Sequence, residues 1–127
     1  MTILLDTNAF VWAVSNRSKL TRAAVIALNS QEPKLVSSLT TYELSQKVRV
    51  GKLELPVAPS EFVRLGAESL EAGWLAVDFR HTAASDSLPW YHKDPFDRLI
   101  ALQVLVEDIG LLSSDHDFDR YGIRRIW

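Results

Sequence analysis

Residues 94–115 read DPFDRLIALQVLVEDIGLLSSD and predict a helix followed by a strand. The helix opens at Asp94-Pro95, because Asp is favoured at the N-cap and Pro at the first helical position. A long apolar segment runs to about residue 108, and residues 110–113 then form a short apolar run, as a buried strand does. Asp97 lies in the first helical turn and Asp115 lies just beyond the strand. The stretch is typical of an α/β fold.

The rest of the chain repeats this alternation of short apolar runs and helical periods. The first four runs lack polar alternation, as buried parallel strands do, whereas Arg124 and Arg125 favour an edge position for the last. Ser60 and Gly73 bound one helix, and residues 51–59 form the longest clear loop. We predict strands at residues 2–5, 34–37, 74–77, 110–113 and 123–127, and helices at about residues 8–14, 21–29, 41–50, 60–72, 80–87, 95–108 and 117–121.

Composition limits the class of protein. The 127 residues are 47% hydrophobic, which suits a single domain spanning residues 1–127 with a proper core. The absence of Cys excludes disulfides, thiolate metal sites and Cys nucleophiles. A net charge of −2 argues against a protein that holds nucleic acid mainly by bulk positive charge. We expect no signal peptide, no membrane span and a cytoplasmic location.

Four acids stand where apolar runs end or helices begin: Asp6, Glu43, Asp97 and Asp115. In a parallel sheet such residues can meet beyond the carboxyl ends of the strands. Two carboxylates 4 Å apart repel by roughly 4 kcal/mol at an effective dielectric constant near 20, so a cation would be needed to offset them. Oxygen ligands suit Mg²⁺ or Mn²⁺, and these ions commonly act on phosphate esters.

Each acid also has a plainer interpretation as a helix cap. Asp6 and Asp115 could cap the helices that follow them, and Thr40 with Glu43 fits a capping box. Helix N-termini keep nearby carboxylates ionised, so capping and metal binding are compatible. The three His residues are scattered, which disfavours a zinc site; they are His81, His92 and His116, of which the last two are either surface loop residues or groups near the acids.

Several motifs are more specific than the acids alone. They are Leu4-Leu5-Asp6-Thr7-Asn8 with Trp12-Ala13; Tyr42-Glu43-Leu44 with Lys47 and Gly51-Lys52-Leu53; Leu88-Pro89 with His92-Lys93-Asp94-Pro95-Phe96-Asp97-Arg98; and Ser113-Ser114-Asp115 with Phe118, Tyr121-Gly122 and Ile126-Trp127. With these motifs the sequence resembles the PIN-domain ribonucleases, and most closely the VapC-type toxins of prokaryotic toxin–antitoxin pairs. The resemblance covers essentially the whole chain.

The resemblance implies a three-layer α/β fold, with a five-stranded, mainly parallel sheet between helices. It also implies a quartet of acids that binds Mg²⁺ or Mn²⁺, falling on Asp6, Glu43, Asp97 and Asp115. Asp117 and Asp119 lie close enough to Asp115 to compete for the fourth position.

Other residues near the acids have two possible roles each. Thr7, Asn8, Asp94, Ser114 and Asp117 could surround the metal ligands, or could simply satisfy local backbone groups. Trp90, Tyr91, His92 and Arg98 could contact RNA through stacking or phosphate binding, whereas packing and surface ion pairs are the plainer alternatives.

The leading hypothesis is a metal-dependent endoribonuclease that hydrolyses phosphodiester bonds with a metal-activated water and is inhibited by an antitoxin protein. Apolar residues around Phe10, Val11 and Trp12, and around the helix at residues 96–106, favour a homodimer. The alternatives are an inactive protein-interaction domain of the same fold and a Mg²⁺-binding module resembling a receiver domain.

Overall fold

A five-stranded parallel sheet forms the centre of the computed structural model, which describes all 127 residues. Every strand pair is parallel, and the order across the sheet is β3-β2-β1-β4-β5. The predicted α/β class and five-stranded sheet are therefore confirmed. The strands are β1 (Ile3–Leu5), β2 (Lys34–Ser37), β3 (Gly73–Leu75), β4 (Gly110–Leu112) and β5 (Arg125–Ile126).

Helices cover both faces of the sheet and bury a separate apolar cluster on each. In β1, Ile3 and Leu5 belong to one cluster and Leu4 to the other, because successive side chains of a strand point to opposite faces. No helix is both long enough and apolar enough to cross a membrane. The α-helices are α1 (Thr7–Ser15), α2 (Arg22–Asn29), α3 (Leu39–Arg49), α4 (Pro59–Ser69), α5 (Phe79–Ala83) and α6 (Pro95–Glu107), with 3₁₀ turns at Arg17–Lys19, Ala84–Ser87 and His116–Tyr121.

The register of the three central strands brings their carboxyl ends level. Leu5 of β1 pairs with Val36 of β2 on one side and with Leu112 of β4 on the other. The backbone N–H of Asp6 still donates to the carbonyl of Leu112, at 3.0 Å. Residues that follow these strands, Asp6 and Ser113 among them, therefore lie at one edge of the sheet.

The two outer strands differ in how well the sequence predicted them. β5 is an edge strand, as the adjacent arginines indicated. β3 was expected to be a buried strand at residues 74–77, but it is the opposite edge strand and spans Gly73–Leu75. Trp74 is 52% exposed there, so an apolar run without alternation did not mean burial at this position.

Several helix ends lie away from the residues that the sequence indicated. α4 begins at Pro59 after the N-cap Ala58, so Ser60 is not its cap. Before Gly73, the chain turns at Glu71, whose φ is 53°. The end of α6 agrees with the predicted residue 108, because its last helical residue is Glu107 and its C-cap Asp108 adopts the left-handed conformation, with a φ of 53°.

Close contact between α1 and α4 depends on Gly66. A Cβ atom on Gly66 would lie 2.7 Å from Cζ of Phe10 and 2.8 Å from Cγ2 of Val14. Phe10 is fully buried within the chain, so its side chain cannot contribute to a partner surface. Trp12 is only partly buried and packs on Trp127, with ring centroids 5.7 Å apart.

Candidate metal centre

Asp6 is the N-cap of α1 and one of the few buried carboxylates, with 8% of its surface exposed. Its Oδ1 accepts the backbone N–H of Thr7 at 2.8 Å, and its Oδ2 accepts the hydroxyl of Ser113 at 2.7 Å. Burial raises the pKa of Asp6, and the negative charges of Glu43 and Asp115 add to this, while the two hydrogen bonds oppose it. The carboxylate therefore lies in an environment that favours a cation.

Glu43 lies inside α3 and is buried, with 7% exposed. The hydroxyl of Thr7 donates to Oε1 at 2.6 Å, and Nζ of Lys47 lies 3.0 Å from Oε2. The capping-box interpretation with Thr40 is wrong, because α3 begins at Leu39 and Glu43 is already in its second turn. Both oxygens of Glu43 thus face donors, one of them a cation.

Asp97 occupies the first turn of α6. Asp94 is the N-cap, as predicted, and its Oδ1 accepts the backbone N–H groups of Phe96 and Asp97 at 2.7 and 3.4 Å. Partial burial raises the pKa of Asp97 to about 7, and the charges of Asp6 and Asp94 contribute next, against a lowering influence of His92. Asp97 is thus a carboxylate whose ionisation costs free energy in the protein without metal.

Asp115 caps the 3₁₀ turn His116–Tyr121 and is held at both oxygens. Oδ1 accepts the backbone N–H of Asp117 at 2.9 Å, and Oδ2 lies 2.7 Å from Nε2 of His92. Potential ligand atoms of His92, Asp115 and Asp117 all lie within 4.8 Å of one another. The alternative that His92 is a surface loop residue is wrong, because only 8% of it is exposed.

The four predicted acids influence one another at the carboxyl edge of the sheet. Glu43 and Asp115 raise the pKa of Asp6, and Asp6 and Glu43 raise that of Asp97. Ser113 links two of them directly, because its hydroxyl donates to Asp6 and accepts the backbone N–H of Asp115 at 3.1 Å. The sequence analysis names Ser113 only as part of a motif and predicts no role for it, although its position at the end of a strand is a usable signal.

The donor set fits a hard divalent cation. The site offers carboxylate oxygens, and burial together with neighbouring negative charges raises the pKa of Asp6 and of Asp97, a cost that a bound cation would offset. One turn before Glu43 in α3, the buried hydroxyl of Thr40 has no protein partner, as expected of a group that serves water or a ligand.

The structure distinguishes between the two roles that the sequence analysis gave to the polar residues near the acids. Thr7 is buried and holds Glu43, rather than satisfying only local backbone groups. Asn8 and Ser114 are exposed, and it is Ser113 that bonds to the acids. Asp117 donates its backbone N–H to Asp115, and its carboxylate lies within 4.8 Å of potential ligand atoms of Asp115 and His92.

Arg98 follows Asp97 and ties down the loop before α6. Its guanidinium donates to the carbonyls of Leu88, Pro89 and His92, at 3.4, 3.0 and 3.3 Å. Trp90 covers the guanidinium, with its ring centroid 4.0 Å from Cζ, and remains 67% exposed. A contact of Arg98 with RNA stays a prediction, but holding the loop is a role that the sequence did not suggest.

A family model described as "PIN domain" matches residues 3–124. The chain belongs to the PIN domain family. The resemblance found in the sequence is thereby confirmed, and the receiver-like alternative is wrong. The sheet order agrees, because β3-β2-β1-β4-β5 differs from the 2-1-3-4-5 order of receiver domains.

Solved structures similar to this PIN domain include toxin–antitoxin complexes. VapBC2 from Rickettsia felis, bound to a promoter DNA fragment, has a TM-score of 0.69 at 16% identity and full coverage of both chains (100% and 100%). DNA-bound VapBC from Salmonella typhimurium has a TM-score of 0.64 at 21% identity, covering 98% of this chain and 96% of that one. FitAcB from Neisseria gonorrhoeae has a TM-score of 0.66 at 20% identity, and the match covers 97% of this chain and 95% of that chain. At these identities the likeness shows a shared fold. A comparison with curated proteins gave no match.

Proposed function

We propose that this PIN domain is a metal-dependent endoribonuclease and the toxin of a toxin–antitoxin pair. The observation that supports the proposal is a set of contacts between the acids: the hydroxyl of Ser113 joins Asp6 to Asp115, and Thr7, the neighbour of Asp6, holds Glu43. The charge of Asp6 also helps to raise the pKa of Asp97. Burying carboxylates together destabilises a fold unless a cation is bound there. A pocket of this kind is therefore better explained by metal-dependent chemistry than by fold stability.

Asp6, Glu43, Asp97 and Asp115 would hold Mg²⁺ or Mn²⁺ through their carboxylate oxygens. When bound, the ion supplies the positive charge that helps a water molecule attack a phosphodiester and stabilises the leaving oxygen. The chain prepares the ligands: Thr7 orients Glu43, and Ser113 connects Asp6 with Asp115. No covalent enzyme intermediate is needed, because the nucleophile is water.

A polar groove beside the acids supports an RNA substrate. The groove has a volume of about 180 Å³ and contains Lys47 and Lys52 together with Glu43 and Asp94. Lysines next to a metal site can neutralise the phosphates that flank the cleaved bond. On the other side of α6, the exposed ring of Trp90 would provide a stacking surface for an unpaired base, and Tyr91 and His92 lie in the same loop.

The antitoxin would bind an apolar groove between α1 and α4. The groove has a volume of about 440 Å³, and its lining includes Val14, Val57, Phe62 and Leu65. Leu65 is 43% exposed, so a partner could bury it. One similar solved structure, from Klebsiella pneumoniae, is a toxin–antitoxin complex, which supports a protein partner here. A homodimer also belongs to the proposal, supported by exposed Leu105 on α6.

The experiment is cleavage of a mixed set of structured and single-stranded RNAs by purified protein with Mn²⁺ or Mg²⁺, and with EDTA. Asp6→Asn removes a ligand charge with little change in shape, and Glu68→Gln makes the matched change at an exposed acid of α4. We expect metal-dependent cleavage that Asp6→Asn abolishes and Glu68→Gln retains. Equal cleavage by Asp6→Asn would refute the metal-site assignment. Absence of cleavage by a wild-type protein that binds Mn²⁺ would favour an inactive interaction domain.

A further inference from the structure

The ring of His92 packs against two aromatic side chains. It lies nearly parallel to Tyr121, with an interplanar angle of 9° and centroids 5.6 Å apart. Its centroid is 4.5 Å from that of Phe118, which is fully buried. The plane of the imidazole is therefore set by packing before any hydrogen bond is considered.

Both ring nitrogens of His92 have partners in this fixed plane. Nδ1 lies 2.9 Å from the hydroxyl of Tyr121, which also accepts the backbone N–H of His92 at 3.0 Å. Nε2 lies 2.7 Å from Oδ2 of Asp115. An ionised carboxylate only accepts hydrogen bonds, so the proton lies on Nε2 and the contact is a short, charge-assisted hydrogen bond.

His92 completes the set of contacts that orients the Asp115 carboxylate. The other oxygen, Oδ1, accepts the backbone N–H of Asp117. The backbone N–H of Asp115 donates to Ser113, whose hydroxyl donates to Asp6. Loss of the Nε2–H donor would leave Oδ2 of Asp115 without a hydrogen-bond partner. The hydrogen bonds that join Asp115 to Asp6 through Ser113 would remain.

Arg98, the residue after the proposed ligand Asp97, holds in place the loop that carries His92. Arg98 donates to three carbonyls of this loop, including that of His92 itself. Because Arg98 follows Asp97 directly in α6, the helix that presents Asp97 also fixes the backbone of His92. His92 is therefore anchored at its ring, at its N–H and at its carbonyl.

We propose that His92 is a positioning residue that holds the Asp115 carboxylate ready for the metal through Nε2–H, with Tyr121 holding its other nitrogen. This inference rests on the proposed metal centre. His92 does not itself bind the ion, since its Nε2 proton points to Asp115. Residues that hydrogen-bond to metal ligands typically change metal affinity 10–100-fold when they are removed, because the ligand must then be ordered on binding.

The test measures Mn²⁺ binding to the metal-free protein by calorimetry, without RNA. His92→Phe keeps an aromatic ring against Tyr121 and Phe118 but has no donor, and we expect it to bind Mn²⁺ about 10–100-fold more weakly than wild type. His92→Gln places an amide nitrogen about as far from the backbone as Nε2, so it should recover most of the affinity. His92→Asn reaches only as far as Nδ1 and should not.

The outcomes separate this inference from the function on which it rests. Wild-type protein that binds no Mn²⁺, or Asp6→Asn protein that binds it as well as wild type, would refute the metal centre itself. If Asp6→Asn binds weakly but His92→Phe matches wild type, the positioning role is wrong. If His92→Gln binds as weakly as His92→Asn, the positioning role is also wrong, because the imidazole itself is then required. Should His92→Phe fail to fold, the comparison of the Gln and Asn variants decides alone.

Discussion

Replacing Asp97 by Asn should stabilise the metal-free protein at alkaline pH. Partial burial, helped by the charges of Asp6 and Asp94, raises the pKa of Asp97 from 3.8 to about 7. For a carboxyl group shielded from water, a pKa increase of that size corresponds to a free-energy cost of ionisation of about 4 kcal/mol. Asp97 is only half buried, so solvent screening reduces the effect to about 1–2 kcal/mol. We expect a stabilisation near the lower end of this range, because Asp97→Asn also loses a favourable interaction of the carboxylate with the helix dipole, about 0.3–1 kcal/mol.

The pH dependence follows from the direction of the shift. The folded protein holds the Asp97 proton more tightly than the unfolded chain does, so ionisation destabilises the fold above about pH 7. As the pH falls from about 7 towards 4, Asp97 is protonated in the folded protein and the wild type no longer bears the cost of ionising it. The stability difference between Asp97→Asn and wild type therefore disappears. For a chain of this length, 1–2 kcal/mol corresponds to a Tm increase of roughly 3–8 °C at pH 8.

The assay is thermal denaturation of wild type, Asp97→Asn and Glu68→Gln in EDTA, between pH 8 and pH 4.5. Glu68 is exposed, so its replacement should leave the Tm nearly unchanged at every pH. Saturating Mn²⁺ should reverse the order, because wild type gains stability by binding the ion and the variant gains less. A stabilisation of the same size at pH 4.5 and pH 8, or none at pH 8, would refute the reasoning.

Three further changes test other parts of the molecule. Lys47→Gln removes the cation beside Glu43 and should tighten Mn²⁺ binding by about 1 kcal/mol, or roughly fivefold, in calorimetry; an unchanged or weaker affinity would contradict this, and Lys52→Gln is the control. Gly66→Ala forces a Cβ atom against Phe10 and should lower the free energy of unfolding by about 1–3 kcal/mol in urea denaturation, whereas full stability would show that α1 and α4 can separate freely. Leu65→Glu should abolish antitoxin binding in a pull-down assay while leaving RNA cleavage intact; retained binding would move the antitoxin to another surface.

Patterns that are local in sequence predicted the fold well. β1 and β4 are short apolar runs. Asp6 follows β1 directly, so this strand, the acid and the start of the next helix can all be found within about ten residues. β3 was misjudged because an apolar run looks the same in a central strand and at an edge. Which of the two it becomes depends on the order of the strands.

The contacts around the acids could not be predicted in the same way. His92 meets Tyr121 and Asp115 across 29 and 23 residues, and Thr7 meets Glu43 across 36. Such pairs follow from the packing of whole elements rather than from any spacing in the chain. The capping-box alternative for Glu43 is wrong because the true start of α3, at Leu39, leaves no local signal stronger than the spacing from Thr40 to Glu43.

The central position of β1 has a consequence for synthesis on the ribosome. β1 pairs with β4, so Asp6 cannot meet Ser113 or Asp115 until almost the whole chain has been translated. Such long-range contacts form late, because a large loop must close first. The pocket is therefore incomplete on every shorter nascent chain. A ribosome making this protein is therefore not exposed to the complete proposed metal site until β4 and the residues after it have left the exit tunnel.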